Sequence, residues 1–457
     1  MTIAEDNETK LPFHLRGNYA PVTDEISADD LDVVGALPPE LNGLYLRNGA
    51  NPKSGWSPHW FAGDGMVHGV RLRDGRADWY RNRWVQTRSL NDDEANLVGD
   101  DGRVDRTVGV NNTHVIRHAG KILTLVESSF PCELSPELDT IGVHDFGGRL
   151  DSAMTAHPKT CPKTGELHFF GYGFFEPYLT YHRANAKGEL VESKVIDVPG
   201  PTMIHDFSIT ETHVLFMDLP VIFDLDLAMK GGMPYRWDED YGARVGAMPR
   251  SIGAETVMAQ PRWFDVDPCY VFHPMNSFDV ADDAGAVSQV VLDTARYPEL
   301  WKQDSATFKN DAALHRWTLD LNRGTVTEEP LDDRSIEFPR IAEHLVGSRN
   351  AVGYAVASFG DNNDGEANSI VKYDLDRATS TAHSFGADRI PGEPVFVPRD
   401  GGTAEDDGFL LTYVYDKPTN SSDFLVLDAR DVTAAPIATV SLPRRVPFGF
   451  HGSWMPY

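Results

Sequence analysis

The sequence predicts an all-β protein built as a propeller of repeated four-stranded units. One observation is that short β-rich runs bounded by turn residues dominate, while long amphipathic helical patterns are scarce. Another is a repeat in the last third. RWTLDLNRGTV, IVKYDLDRATS and FLVLDARDVTA each read as a strand ending in Asp, a turn and a return strand. Their Asp320, Asp374 and Asp428 recur at intervals of 54 residues. Strand–Asp–turn is common in hairpins, so the two equal intervals carry the argument. An all-β unit of about 50 residues matches a propeller blade of four strands.

Taken in chain order, residues 114–126 read as strand, turn (Ala119-Gly120-Lys121) and strand. Residues 166–172 and 178–183 follow as strands, then a turn at 185–188 and a further strand over 190–198. Helical candidates are few, at 286–297 and 298–303, both in a charged region. Gly and Pro are spread evenly, 39 and 30 in all, so no linker marks a domain boundary.

Charge and composition narrow the function. With 41 Lys+Arg against 69 Asp+Glu, the 457 residues carry a formal charge of −28. That balance argues against nucleic acid, which needs a basic footprint, and against a polybasic anchor on anionic lipid. A well-solvated acidic surface explains it. The three cysteines, Cys132, Cys161 and Cys269, are odd in number, far apart and without a CxxC, so neither a disulfide framework nor a Cys-ligated zinc is expected. The start, MTIAEDNETKLPF, has no basic and apolar regions of a signal peptide. No apolar run approaches the ~20 residues of a transmembrane helix. The most apolar stretch, 214–229, is broken by Asp218, Pro220, Asp224 and Asp226. A reducing cytoplasm is the expected location.

Most of the 16 histidines need no functional explanation. His118, His144, His182, His213, His315, His344 and His383 have polar or turn contexts and are expected at the surface. His157 (TAHPKT), His205 (MIHDFS), His273 (YVFHPMN) and His451 (FGFHGSW) differ, because each lies among apolar or small residues where an unsatisfied imidazole is costly. A lone buried histidine is more often a satisfied core residue than a ligand. Glu127 (LTLVESS), Glu337 (IEFPRI) and Glu393 (GEPVFVP) are carboxylates in similarly apolar company. In order, His157, His205, His273, Glu337, Glu393 and His451 are separated by 48, 68, 64, 56 and 58 residues. That is about one special polar residue per unit, and inner strands of propeller blades converge on one axis.

Other motifs are absent or incomplete. There is no GxSxG, HExxH or P-loop. Gly63-Asp64-Gly65 begins like a dinucleotide fingerprint but lacks the third glycine and the βαβ context. The triplets His144-Asp145-Phe146 and His205-Asp206-Phe207 suggest a two-His-one-carboxylate iron site, a reading that ignores the other three histidine motifs.

From PPELNGLYLRNGANP (38–52) and HWFAGDGMVHGVRL (59–72) through NNTHV (111–115), HPKT, IHDF, FHPMNSF, EFPR, GEPVFVP and GFHGSW, the chain resembles the carotenoid cleavage oxygenase family, with the motifs in the family's order. Ala62 in WFAGDG stands where many members have Asp. The resemblance implies a seven-bladed β-propeller, with a few short helices and loops covering one face above a central iron. It also implies a single catalytic propeller over 38–457, preceded by an N-terminal extension, 1–37. His157, His205, His273 and His451 would ligate one Fe2+, with O2 as co-substrate. Glu127, Glu337 and Glu393 match positions that receive imidazole N–H groups from three of those histidines. Thr113 matches a threonine beside the iron that restricts one coordination position. The chemistry is coherent: imidazole suits iron, and four neutral ligands leave two octahedral positions open. Carboxylates behind them offset the metal charge and fix the tautomers.

The family cleaves a carbon–carbon double bond with O2 to give two carbonyl products, on carotenoids and apocarotenoids or on phenolic stilbenes and phenylpropenes. Phenolic cleavers resemble one another in placing Lys just before the glutamate that Glu127 matches; here that residue is Val126. An apolar residue favours a carotenoid or apocarotenoid. The alternatives are the same cleavage of a phenolic stilbene or phenylpropene, an isomerohydrolase on the same scaffold, and a propeller that binds an apolar ligand without turning it over. The expected partner is an apolar small molecule, with peripheral membrane contact a compatible route for its uptake.

Overall fold

The computed structural model describes residues 11–253, 258–302, 311–357 and 368–457. The protein is a seven-bladed β-propeller with two short α-helices among the described residues, Arg88–Asn91 and Leu225–Met229. It divides into two compact units.

The first unit comprises Met1–His144, Ser384–Gly402 and Gly408–Tyr457 and holds three blades. Blade I orders Ser27–Asp29, Arg76–Trp84, Gly65–Arg73 and Gly43–Ala50, and the C-terminal strand Gly452–Pro456 closes it beside Gly43–Ala50. Blade II is His114–His118, Lys121–Leu125, Cys132–Leu134 and Thr140–Val143. Blade VII is built on Gly408–Asp416 and Ser421–Asp428, and takes Val33–Gly35 from the N-terminal segment as its outermost strand. Ser27–Asp29, Val33–Gly35 and Gly452–Pro456 are therefore woven into blades I and VII by backbone hydrogen bonds.

The second unit, Asp145–His383 with Thr403–Asp407, holds blades III to VI, each a four-stranded antiparallel meander. Their first strands are Lys159–Thr160, Phe207–Ile209, Tyr270–Ala281 and Ile336–Arg340.

Where blades of one unit pack face to face, inner strands lose the alternation of a half-exposed strand. All eight residues of Gly43–Ala50 are buried, whereas Leu190–Val195, at a blade margin, alternates strictly. Blades III and IV share a core of Phe170, Tyr181, Phe207, Phe216 and Met248. There the Phe170 and Phe207 rings meet edge to face at 5.2 Å. Emptying one such position by Phe216→Ala costs about 3–5 kcal/mol in comparable cores.

The same burial accounts for two departures from expectation. Residues 286–297 are the strand Val287–Tyr297, not a helix, paired on both sides by Tyr270–Ala281 and Ala313–Asp320. Continuous burial over Val290–Ala295 hides its period of two, and β-branched Val287, Val290, Val291 and Thr294 suit a pleated sheet. Residues 298–302 form no helix either, and Gln303 lies outside the described residues. His118 and His182 are buried rather than at the surface. His182 sits in the fully buried strand Leu179–Ala184, with Nε2 2.7 Å from Ser152 Oγ and Nδ1 2.8 Å from Ser193 Oγ. A neutral imidazole, donating at one nitrogen and accepting at the other, satisfies both hydroxyls.

Among the described residues no helix is long and apolar enough to cross a membrane. Gly65, which starts a strand of blade I, lies so close to the Asn111 carbonyl that a Cβ would come within 2.3 Å of its oxygen. The GDG motif thus makes a tight approach to the NNT motif.

Burial holds the His182 pKa down to about 4 against an ordinary 6.5. Between these values the unfolded chain binds the proton and the folded one does not, so stability falls as pH falls through that window. Replacing His182 with Gln should remove up to about 1.4 kcal/mol per pH unit from the slope between pH 6 and 4.5 in urea unfolding. Parallel slopes for the two proteins would show that His182 is not buried neutral.

Candidate metal centre

Apart from Glu127, the sequence-predicted site residues lie on or beside the edge strands of their blades. His157 and His205 stand two positions before the first strands of blades III and IV, and His273 lies within that of blade V. Glu337 is in the first strand of blade VI, Glu393 precedes Val395–Pro398 of blade VII, and His451 immediately precedes the closing strand of blade I. Thr113 leads into blade II, and Glu127 follows its second strand, half-buried.

His157, His205, His273 and His451 are all buried, and one ring nitrogen of each lies within 4.8 Å of the others. In the second unit the His157 ring centroid is 4.5 Å from that of His205 and 5.0 Å from that of His273; His205 and His273 are 5.1 Å apart. Thr155 ties two of these turns together. Its hydroxyl accepts from the His157 N–H at 3.1 Å and donates to the His205 carbonyl at 3.4 Å.

Glu337 accepts three hydrogen bonds: from His273 Nδ1 at 2.6 Å, from the Tyr297 hydroxyl at 2.8 Å and from the Phe338 N–H at 2.7 Å. Burial and then the Glu337 charge push the Tyr297 phenol well above its ordinary range, so it remains a donor. A bulge between Glu337 and Arg340 makes this geometry, and Phe338 takes φ +52° within it. That conformation costs an aromatic residue on the order of 1–3 kcal/mol. It lays the Phe338 ring against His273, with centroids 5.4 Å apart and 28° between planes.

In the first unit, Glu393 repeats the arrangement. Its oxygens accept from His451 Nδ1 at 3.0 Å and from the Gly452 N–H at 2.8 Å. The His451 N–H donates to the Thr113 carbonyl at 3.1 Å, and the Thr113 hydroxyl donates to Asn112 at 3.0 Å. Asn112 in turn holds the WFAGDG loop through the carbonyls of Phe61 and Gly63, at 2.9 and 2.7 Å.

This donor set fits a metal ion. A proton on Nδ1, hydrogen-bonded to Glu337 or Glu393, leaves Nε2 of His273 and His451 with its lone pair. Four imidazoles suit a borderline transition metal such as iron rather than a hard cation that prefers oxygen. Sequence reasoning missed Tyr297, Phe338 and Lys159. Tyr297 and Phe338 act through a partner or a backbone angle that no local pattern reveals. Lys159 stood inside the HPKT motif but only its histidine was read chemically.

A propeller whose buried histidines gather into one group, two of them backed by carboxylates, has an arrangement able to hold a metal ion. The chain matches the family model of retinal pigment epithelial membrane protein (RPE65) over residues 19–456. It is 40% identical to the carotenoid cleavage oxygenase of Mycobacterium tuberculosis over the whole length of both chains. It is 34% identical to carotenoid 9,10(9',10')-cleavage dioxygenase 1 of Arabidopsis thaliana, covering 97% of this chain and 90% of the relative. Among solved structures it resembles the lignostilbene dioxygenase of Pseudomonas brassicacearum, with TM-score 0.86, 29% identity and coverage of 98% and 99%. It also resembles a cobalt-substituted Synechocystis apocarotenoid oxygenase, with TM-score 0.84, 28% identity and coverage of 96% and 98%. The chain belongs to the carotenoid cleavage oxygenase family and is an enzyme of that family.

Glu337→Gln keeps the acceptor but removes the charge behind His273, and metal affinity should fall roughly 10–100-fold. Tyr297→Phe removes one donor to the same carboxylate and should cost less. Both are read as metal retained against a chelator; retention equal to that of the parent in Glu337→Gln would make this carboxylate a bystander.

Proposed function

We propose that the chain is an Fe(II)-dependent oxygenase that cleaves one carbon–carbon double bond of a carotenoid or apocarotenoid with O2, giving two carbonyl products. The observation that carries this is the buried group of four histidines, with Glu337 and Glu393 on two of them, in a chain whose relatives bear carotenoid-cleavage names. The catalytic propeller takes in residues 38–457 together with the strands Ser27–Asp29 and Val33–Gly35 of the extension 1–37, and acts in the cytoplasm.

In this reading His157, His205, His273 and His451 hold one iron. Glu337 and Glu393 orient two of the imidazoles, and Glu127 serves a third. Thr113, whose carbonyl anchors the His451 backbone, restricts access to one metal position. When bound, the iron supplies coordination positions for O2 and the electrons that activate it. The protein orients the histidines, excludes water and receives an apolar substrate. Val126, beside Glu127, is buried and carries no charge. A polyene enters such surroundings by desolvation, at about 25 cal/mol per Å2 of apolar surface buried. A phenol would lose water there without gaining a cation.

A second reading, cleavage of a phenolic stilbene, is favoured by the likeness to the lignostilbene dioxygenase. The two separate on aerobic incubation of iron-loaded protein with β-carotene, an apocarotenal and resveratrol, followed by mass analysis. The carotenoid or apocarotenal should be cut faster than resveratrol at equal concentration, and Val126→Lys should slow the polyene. Rapid cleavage of resveratrol with the polyenes untouched would reverse the assignment. Absence of any carbonyl product from iron-loaded protein would leave a binding protein.

A further inference from the structure

The HDF triplet offers Asp206 as a carboxylate ligand, and the structure places Asp206 beside the histidine group with its oxygens engaged elsewhere. Lys159 Nζ lies 2.8 Å from Oδ1 and 3.0 Å from Oδ2. The Phe207 N–H donates to Oδ1 at 2.6 Å. Oδ2 faces His157 Nδ1 at 3.8 Å, too far for a hydrogen bond. Both His157 and Asp206 are buried, while the Lys159 side chain keeps 20% of its surface exposed. Lys159 stands two residues after His157 and Asp206 one residue after His205, so this ion pair joins two histidine-bearing turns.

The contrast with the glutamates is informative. Glu337 and Glu393 each direct an oxygen at an imidazole Nδ1 within 3.0 Å. Asp206 is as deeply placed, yet its charge is met by an ammonium. An unpaired buried carboxylate beside a divalent ion would be drawn to it, either as an oxygen ligand or as an acceptor from His157.

We propose that Lys159 is a positioning residue that holds Asp206 away from the metal and from His157 Nδ1, so that the site keeps four imidazole ligands instead of a two-His-one-carboxylate set. The inference rests on the four histidines holding a metal, and adds what keeps a fifth protein group out. The pair also fixes the spacing of the His157 and His205 turns without placing net charge there.

The test uses the full chain loaded with Co(II), whose visible spectrum reports the ligand set. Lys159→Met frees Asp206, and its spectrum should shift from that of the parent, with affinity against a chelator changed by about tenfold or more, the scale of other supporting groups. Lys159→Gln is the second neutral variant, with the same expectation. Lys159→Arg should keep the parent spectrum. Adding Asp206→Asn to Lys159→Met should restore it, because no carboxylate then remains to be held back. A merely structural pair would lower thermal stability in these variants and move no band, which would overturn the proposal. A shift that persists in the double variant would also overturn it. Parent protein that takes up no Co(II) would instead remove the four-histidine reading on which the proposal stands.

Discussion

A buried imidazole whose Nδ1–H donates a hydrogen bond to a buried carboxylate is the interaction on which the site depends. His273 and Glu337, 2.6 Å apart, form such a pair, and so do His451 and Glu393 at 3.0 Å. Either partner alone would be expensive to bury. Together they fix the tautomer, leave Nε2 available and tie two blade edges to each other, V to VI in one unit and VII to the closing strand in the other. The Tyr297 hydroxyl and the Phe338 and Gly452 N–H groups complete the carboxylates' hydrogen bonding. Little freedom is left for the rings to turn.

The chain ends bear on the same chemistry. Gly452–Pro456 pairs with Gly43–Ala50, and His451, one residue earlier, is bonded through its backbone to Thr113. One histidine of the group thus depends on closure of blade I by the last strand. Loss of that strand would remove His451 from its place against Glu393 even with the other blades folded.

Much of this was legible in the sequence because propeller strands are local and their turns are chemically marked. Asp320, Asp374 and Asp428 do end strands, and the runs at 114–126 and 166–172 fold as read. The four histidines came from polar residues standing in apolar company. Where the reading went wrong, burial on two faces was the cause: it gave Val287–Tyr297 a helix-like pattern and made His182 look like a surface residue. Lys159 and Phe338 were illegible for another reason. The part played by Lys159 depends on Asp206, 47 positions away, and that of Phe338 on a bulge that only its pairing with blade VI's next strand creates.

X-ray absorption on the iron-loaded full-length protein tests the central claim most directly, because it counts the groups bound to the metal. The account predicts four imidazole nitrogens on iron and no protein carboxylate. A best fit with two imidazoles and a carboxylate oxygen would contradict it.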